Sequence, residues 1–168
     1  MYLSTEDIQA RVEELGAAIA ADYEGREPVL VSSLKTAIVF LSDLSRAVSI
    51  RHSLDFIALA GYDGNGGSGG RVRLLKDLEV SIRGRDVLLV EDVVDTGMTL
   101  NFLVKTFALR EPKSLAAVAL LDRPYRRLVE DLPVRYVGFT VPDEFFVGYG
   151  FDLEGRWRNL PDLRLLKA

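Results

Sequence analysis

The sequence predicts an α/β fold, a mainly parallel sheet flanked by helices, and two observations predict it. Val29-Leu30-Val31, Val87-Leu88-Leu89-Val90 and Leu115-Ala116-Ala117-Val118-Ala119-Leu120-Leu121 are apolar runs too short for helices. They are also too uniformly apolar for half-exposed strands, and read as strands buried on both faces. Between them stand segments whose apolar residues recur at helical spacing. Strands and helices alternating in this order imply a mainly parallel sheet with helices on both sides. At 168 residues the chain is expected to form one domain with a core of ordinary size.

Taken in order, a helix starts at Ser4 or Thr5, with Glu6 and Asp7 in its first turn. Ile8, Val12, Leu15 and Ile19 form one apolar stripe that suits core or interface equally, and Gly25 and Pro28 end the segment. A short strand at Val29-Val31 leads through Ser33-Leu34-Lys35-Thr36 into a helix from about Ala37 to Val48. Leu54-Ala60 is the next strand. Gly61 to Gly70 is glycine-rich and expected to be mobile, and Arg71-Lys76 returns from it as a strand. Gly84 marks a turn before the strand at Val87, and the following helix ends near Arg110. Leu115-Asp122 and Val134-Phe139 are further strands. The tail from Pro142 to Leu163 mixes aromatics (Phe145, Phe146, Tyr149, Phe151, Trp157) with polar residues and reads as irregular.

Composition excludes several classes. Hydrophobic residues make up 48% and charged residues 27%, so disorder is not expected. A net charge of -4 argues against a non-specific nucleic-acid binder, which carries a basic field. There is no cysteine, which excludes disulfides and thiolate metal sites and fits a cytoplasmic protein. The first residues have neither the basic nor the apolar region of a signal peptide, and no apolar stretch reaches the roughly 18 residues of a membrane span.

The chemistry concentrates in Val87-Leu88-Leu89-Val90-Glu91-Asp92-Val93-Val94-Asp95-Thr96-Gly97-Met98-Thr99. A buried strand ends in two acids, passes through Asp95-Thr96-Gly97 and opens into a helix. The amides and hydroxyls of that turn, at a helix N-terminus, suit a phosphate. Open α/β sheets bind ligands outside the carboxyl ends of their strands. Acids for sugar hydroxyls beside amides for a phosphate point to a ribose phosphate. The bland reading is helix capping, but capping needs one acid, not three on one edge.

The same stretch resembles the phosphoribosyl-pyrophosphate signature of the type I phosphoribosyltransferases, and its Glu-Asp-x-x-Asp-Thr-Gly-x-Thr form resembles the hypoxanthine-guanine branch. The resemblance runs from about Val29 to Leu163 and includes Leu34-Lys35, the Tyr62 loop, Leu120 to Pro124, Pro142-Asp143-Glu144-Phe145, Val147-Gly148-Tyr149-Gly150 and Arg158-Asn159-Leu160-Pro161. It implies a small hood from about residues 1–28 and 142–168 and a mobile lid at Gly61-Tyr62. It implies that Glu91 and Asp92 hold the ribose hydroxyls, directly or through Mg2+, and that Asp95 is a general base at N7 of a purine. Thr96, Gly97, Met98 and Thr99 then wrap the 5′-phosphate. Leu34, Lys35 and Thr36, with a non-proline cis peptide, form the pyrophosphate loop, and Arg158 clamps the pyrophosphate. Asp152 completes a second magnesium site beside the base. Phe145 stacks on the purine, the backbone of Phe146 reads its edge, and Arg123 donates to its 6-oxygen.

The implied activity is transfer of phosphoribose from phosphoribosyl pyrophosphate to a 6-oxopurine, hypoxanthine or guanine, by a homodimer or homotetramer acting on small molecules. Three positions depart from the family pattern. Thr36 stands where glycine is usual, Gly61 where serine is usual, and Arg123 where a lysine reads the purine. Arginine still donates, but it is longer and planar. These departures leave a xanthine-preferring transferase and a non-catalytic nucleotide-binding regulator as alternatives. His52 and the arginines Arg126 and Arg127 carry no expected role.

Overall fold

The computed structural model describes residues 1–60 and 72–166. Gly61, Tyr62 and the lid expected of them lie outside the described residues. The elements run α1 (Thr5–Asp22), β1 (Val29–Leu34), α2 (Ile38–Ala47), β2 (Ser53–Ala60), β3 (Arg73–Lys76), β4 (Asp86–Val94), α3 (Met98–Ala108), β5 (Ser114–Asp122), β6 (Val134–Thr140), β7 (Phe146–Val147) and β8 (Arg164–Leu165). One sheet has the order β3-β2-β1-β4-β5-β6, parallel throughout except for β3, which pairs antiparallel with β2. β7 and β8 form a separate two-stranded ribbon.

The apolar runs are buried on both faces, as expected. Leu30, Leu88, Val90, Val118 and Leu120 face one core with α1 and α2, and Val29, Val31, Val87, Leu89, Ala117 and Ala119 face the other with α3. Alternate residues of a strand point to opposite faces, so each run of consecutive apolar residues serves two cores. The stripe Ile8, Val12, Leu15 and Ile19 is core, at most 3% exposed. Ser4 opens α1 through a capping box in which its Oγ accepts from the Asp7 amide at 3.0 Å and Asp7 accepts from the Ser4 amide at 3.1 Å.

The apolar stripe of α1 packs against α2 and the sheet. Tyr2 and Leu3 join the tail, their amides donating to the Leu163 carbonyl. The tail is also less irregular than its composition reads, since Phe146-Val147 pairs with Arg164-Leu165. Among the described residues no helix is long and apolar enough to cross a membrane.

This topology fixes where a site can lie. From β1 the chain proceeds through α2 to β2 on one side, and from β4 through α3 to β5 on the other. Neighbouring strands whose connections diverge leave a crevice at their carboxyl ends. Leu34 to Thr36 and Glu91 to Gly97 line that crevice.

Candidate active site

The crevice is a cavity of about 290 Å³ between the β1–α2 turn and the β4–α3 turn. On the β1 side the Leu34-Lys35 peptide is cis, as the resemblance implies, and Lys35 is exposed. On the β4 side Glu91 and Asp92 end the buried strand. Burial, and next to it the charge of Asp92, pushes the Glu91 carboxyl up to about 8. Burial also raises Asp92, opposed by the Val93 amide, the charge of Arg158 and hydrogen bonding from Thr36. Asp95 and Thr96 follow, then Gly97 at φ +83, where a side chain would also meet Leu132 Cδ1 at 2.7 Å. Gly97 is the N-cap of α3, and no side chain caps that helix. Capping therefore does not account for Glu91, Asp92 or Asp95. The carbonyl of Thr96 accepts from the Leu128 amide at 2.9 Å, which holds the turn from behind.

These raised carboxyls give the chain a pH dependence. In the unfolded chain Glu91 has its ordinary value of 4.5, and in the folded chain about 8. Between these values the folded state keeps a proton that the unfolded chain has lost, so stability falls as pH rises from about 4.5 to 8 and levels off above. Thermal melting in cation-free buffer across that range is expected to show the decline, and Glu91→Gln to flatten it. A wild-type midpoint that rises over the interval would contradict it.

A second cavity adjoins the first, lined by Asp95, Arg123, Arg126, Asp143, Glu144, Phe145, Leu165 and Leu166. Among the described residues Asp95 alone lines both. Arg126, a residue without an expected role, sets its Nε 3.2 Å from Asp95 Oδ1 and its Nη1 3.0 Å from Asp143 Oδ1. Arg127, also without an expected role, is largely buried and pairs with Asp122. Both pairings have one cause: the 124–132 segment folds back over the β4–α3 turn, which brings Arg126 to Asp95 and Asp143 and Arg127 to Asp122. Arg123 donates from Nη2 to the Glu144 carbonyl at 2.5 Å and lies 3.7 Å from Asp95 through Nη1. Buried polar atoms are nearly always paired. Asp95 Oδ1 and Arg123 Nε are buried here without a hydrogen-bond partner, the Arg126 contact being an ion pair that lacks hydrogen-bond geometry. Asp95, a carboxylate, and Arg123, a guanidinium, thus stand on the wall of one cavity as an acceptor group beside a donor group.

The aromatics divide. Phe145 is 58% exposed on the cavity wall, whereas Phe146 is buried against Tyr2 and under Arg123. Arg158 reaches the first cavity's rim, donating from Nη1 to Thr36 Oγ1 at 3.0 Å and to the Gly150 carbonyl at 2.7 Å. Its Nη2 lies 2.6 Å from Asp152 Oδ1, and Asp152 Oδ2 accepts from the Gly155 amide at 2.6 Å. Asp152 stands with the arginine, and no group of three metal-binding side chains occurs among the described residues. His52 is bonded to Ser45 and to the Ile50 carbonyl, away from the site.

The profile of the phosphoribosyl transferase domain family matches residues 1–154. The hypoxanthine phosphoribosyltransferase of Salmonella typhimurium is 50% identical over 158 residues, covering 92% of this chain and 88% of that protein. A crystal structure of a hypoxanthine-guanine phosphoribosyltransferase from Bacillus anthracis superposes with a TM-score of 0.93 at 43% identity, covering 99% of this chain and 98% of that one. The bifunctional TilS/HprT protein of Listeria monocytogenes is 44% identical over 167 residues, and the chain spans 26% of its length. With the fold, the cis Leu34-Lys35 turn and the Glu91 to Thr99 crevice in agreement, the chain belongs to the hypoxanthine-guanine branch of the phosphoribosyltransferase family.

Proposed function

We propose that this protein transfers the phosphoribosyl group of phosphoribosyl pyrophosphate to N9 of hypoxanthine or guanine, releasing pyrophosphate. The observation that carries this reading is the placement of Asp95 and Arg123, an acceptor group and a donor group, together on the wall of the second cavity. A 6-oxopurine offers an N7–H donor beside a 6-oxygen acceptor, the complement of that pair. Adenine has an amino group where the acceptor is needed, and a site built to bond one group rejects an analogue lacking it.

Asp95, at the junction of the two cavities, accepts the N7 proton as the glycosidic bond forms. Phe145 stacks on the ring, and the Phe146 backbone meets its edge. The amides and hydroxyls of Thr96, Gly97, Met98 and Thr99 hold the 5′-phosphate at the α3 N-terminus. Leu34, Lys35, Thr36 and Arg158 hold the pyrophosphate; guanidinium is well shaped for it. Glu91 and Asp92 face the ribose hydroxyls. Two adjacent carboxylates, one held protonated by burial when alone, fit Mg2+, which is usually bound by one or two carboxylates together with substrate oxygens. A carboxylate has lone pairs enough for Asp152 to keep Arg158 and still reach a second ion. Magnesium, when bound, supplies charge neutralisation on the departing pyrophosphate. Everything else is positioning and electrostatics from the chain itself.

Incubation with phosphoribosyl pyrophosphate, Mg2+ and each of hypoxanthine, guanine, xanthine and adenine tests the proposal. Nucleotide and pyrophosphate are expected with the first two and not with adenine. Absence of product with every base would support a nucleotide-binding regulator instead, and xanthine as the best substrate would support the xanthine transferase. Arg123→Met is expected to raise KM for hypoxanthine by about tenfold or more, the usual loss when a charged donor is removed, while Arg123→Lys keeps the preference over adenine. An unchanged KM in the methionine variant would place the purine elsewhere.

A further inference from the structure

Thr36 occupies a position where the family pattern has glycine, and a glycine has no side chain to offer Arg158. Here the Thr36 hydroxyl accepts from Arg158 Nη1 at 3.0 Å, and the same nitrogen donates to the Gly150 carbonyl at 2.7 Å. Nη1 has only two N–H groups, so both are committed. Nη2 is drawn to Asp152 Oδ1 at 2.6 Å. Three acceptors, from the β1–α2 turn and from the tail, therefore fix a rigid planar group before any ligand arrives. Thr36 lines the same cavity as Asp92, so the arginine is held beside the acidic pair. Threonine suits this task because its branched Cβ restricts χ1 and keeps the hydroxyl where it is used.

We propose that the Thr36 hydroxyl is a positioning group for Arg158, holding the guanidinium so that its remaining N–H donors, on Nε and Nη2, meet the pyrophosphate of the substrate. The proposal rests on the transferase reading above. Thr36 replaces the freedom of a glycine with a fixed arginine, and ordering the arginine in advance removes an entropic cost from binding. The departure from the family pattern is thus a gain of a contact rather than the loss of a flexible joint.

The test measures binding as well as turnover. Calorimetry with magnesium pyrophosphate and, separately, with inosine monophosphate is carried out on the wild type, T36V, T36G and T36S. Pyrophosphate is the group that Arg158 meets; the nucleotide lacks it and serves as the control. T36V and T36G remove the hydroxyl in different ways and are both expected to weaken pyrophosphate about tenfold, with a matching rise in KM for phosphoribosyl pyrophosphate and nucleotide affinity held within about twofold. T36S is expected to recover most of the loss. Pyrophosphate affinity unchanged in T36V and T36G, a loss in T36S as large as in T36V, or an equal loss of nucleotide affinity would each overturn the positioning role. A wild-type chain that binds neither ligand would overturn the transferase reading and this one with it, whereas a wild type that binds both isolates the role of Thr36.

Discussion

Asp95→Asn is expected to lower kcat by a factor of roughly 10² or more, the usual loss when a general base is removed, while phosphoribosyl pyrophosphate and nucleotide still bind. The expectation comes from where Asp95 stands. It follows β4 at the carboxyl end, lines both cavities, and leaves Oδ1 buried without a hydrogen-bond partner. Asparagine keeps the size and one acceptor oxygen but has no basic site for the N7 proton. The neighbouring arginines sharpen the test. Arg126 and Arg123 lie 3.2 and 3.7 Å from the two carboxylate oxygens, so the substitution also removes the negative charge that both face. A loss in kcat with unchanged nucleotide affinity assigns the effect to proton transfer. A matched loss in nucleotide affinity would mean that Asp95 serves mainly to anchor the arginines, and wild-type turnover would remove it from the chemistry.

Gly150→Ala is expected to destabilise the fold by about 3 kcal/mol, lowering Tm by roughly 6–12 °C, and to weaken pyrophosphate binding as well. Gly150 has φ +94, a conformation that L side chains rarely adopt. An added Cβ would stand 2.3 Å from the Thr36 carbonyl oxygen and 3.5 Å from Val39 Cβ. The first neighbour is backbone and has no far end to swing away. Relief requires moving the β1–α2 turn or the tail, and the Gly150 carbonyl that holds Arg158 moves with the tail. Gly25→Ala is the control, because Gly25 also has positive φ, +72, but nothing lies within 4 Å of its added Cβ. It is expected to cost about 1 kcal/mol, the left-handed strain alone. Calorimetric melting of both variants separates strain from collision. Equal losses would mean that the contact with Thr36 relaxes freely.

The central stretch was legible because its information is local. Burial on both faces leaves its mark as an uninterrupted apolar run, and a phosphate turn must follow such a strand directly, so Glu91 to Thr99 could be read as one unit. The parallel strands and the stripe of α1 were legible for the same reason. The ribbon of β7 and β8 was not: two residues per strand carry no periodicity, and their partners lie 17 residues or more apart in the chain. Arg126 and Arg127 were equally unreadable. A cluster of arginines has the composition of solvated surface, and only the fold-back of the 124–132 segment carries it to Asp95, Asp143 and Asp122.

Sequence by itself determined the class of fold, the ribose-phosphate crevice and the identity of its acids, since those follow from residues adjacent in the chain. Tertiary structure alone decided how the acids are used. It joined two cavities at Asp95, set Arg123 beside Asp95 on the wall of the second, and set Arg158 against a threonine 122 residues away. The physical reason is that hydrogen bonds and ion pairs between distant segments depend on ångström-scale distance and on angle, which no pattern along the chain encodes.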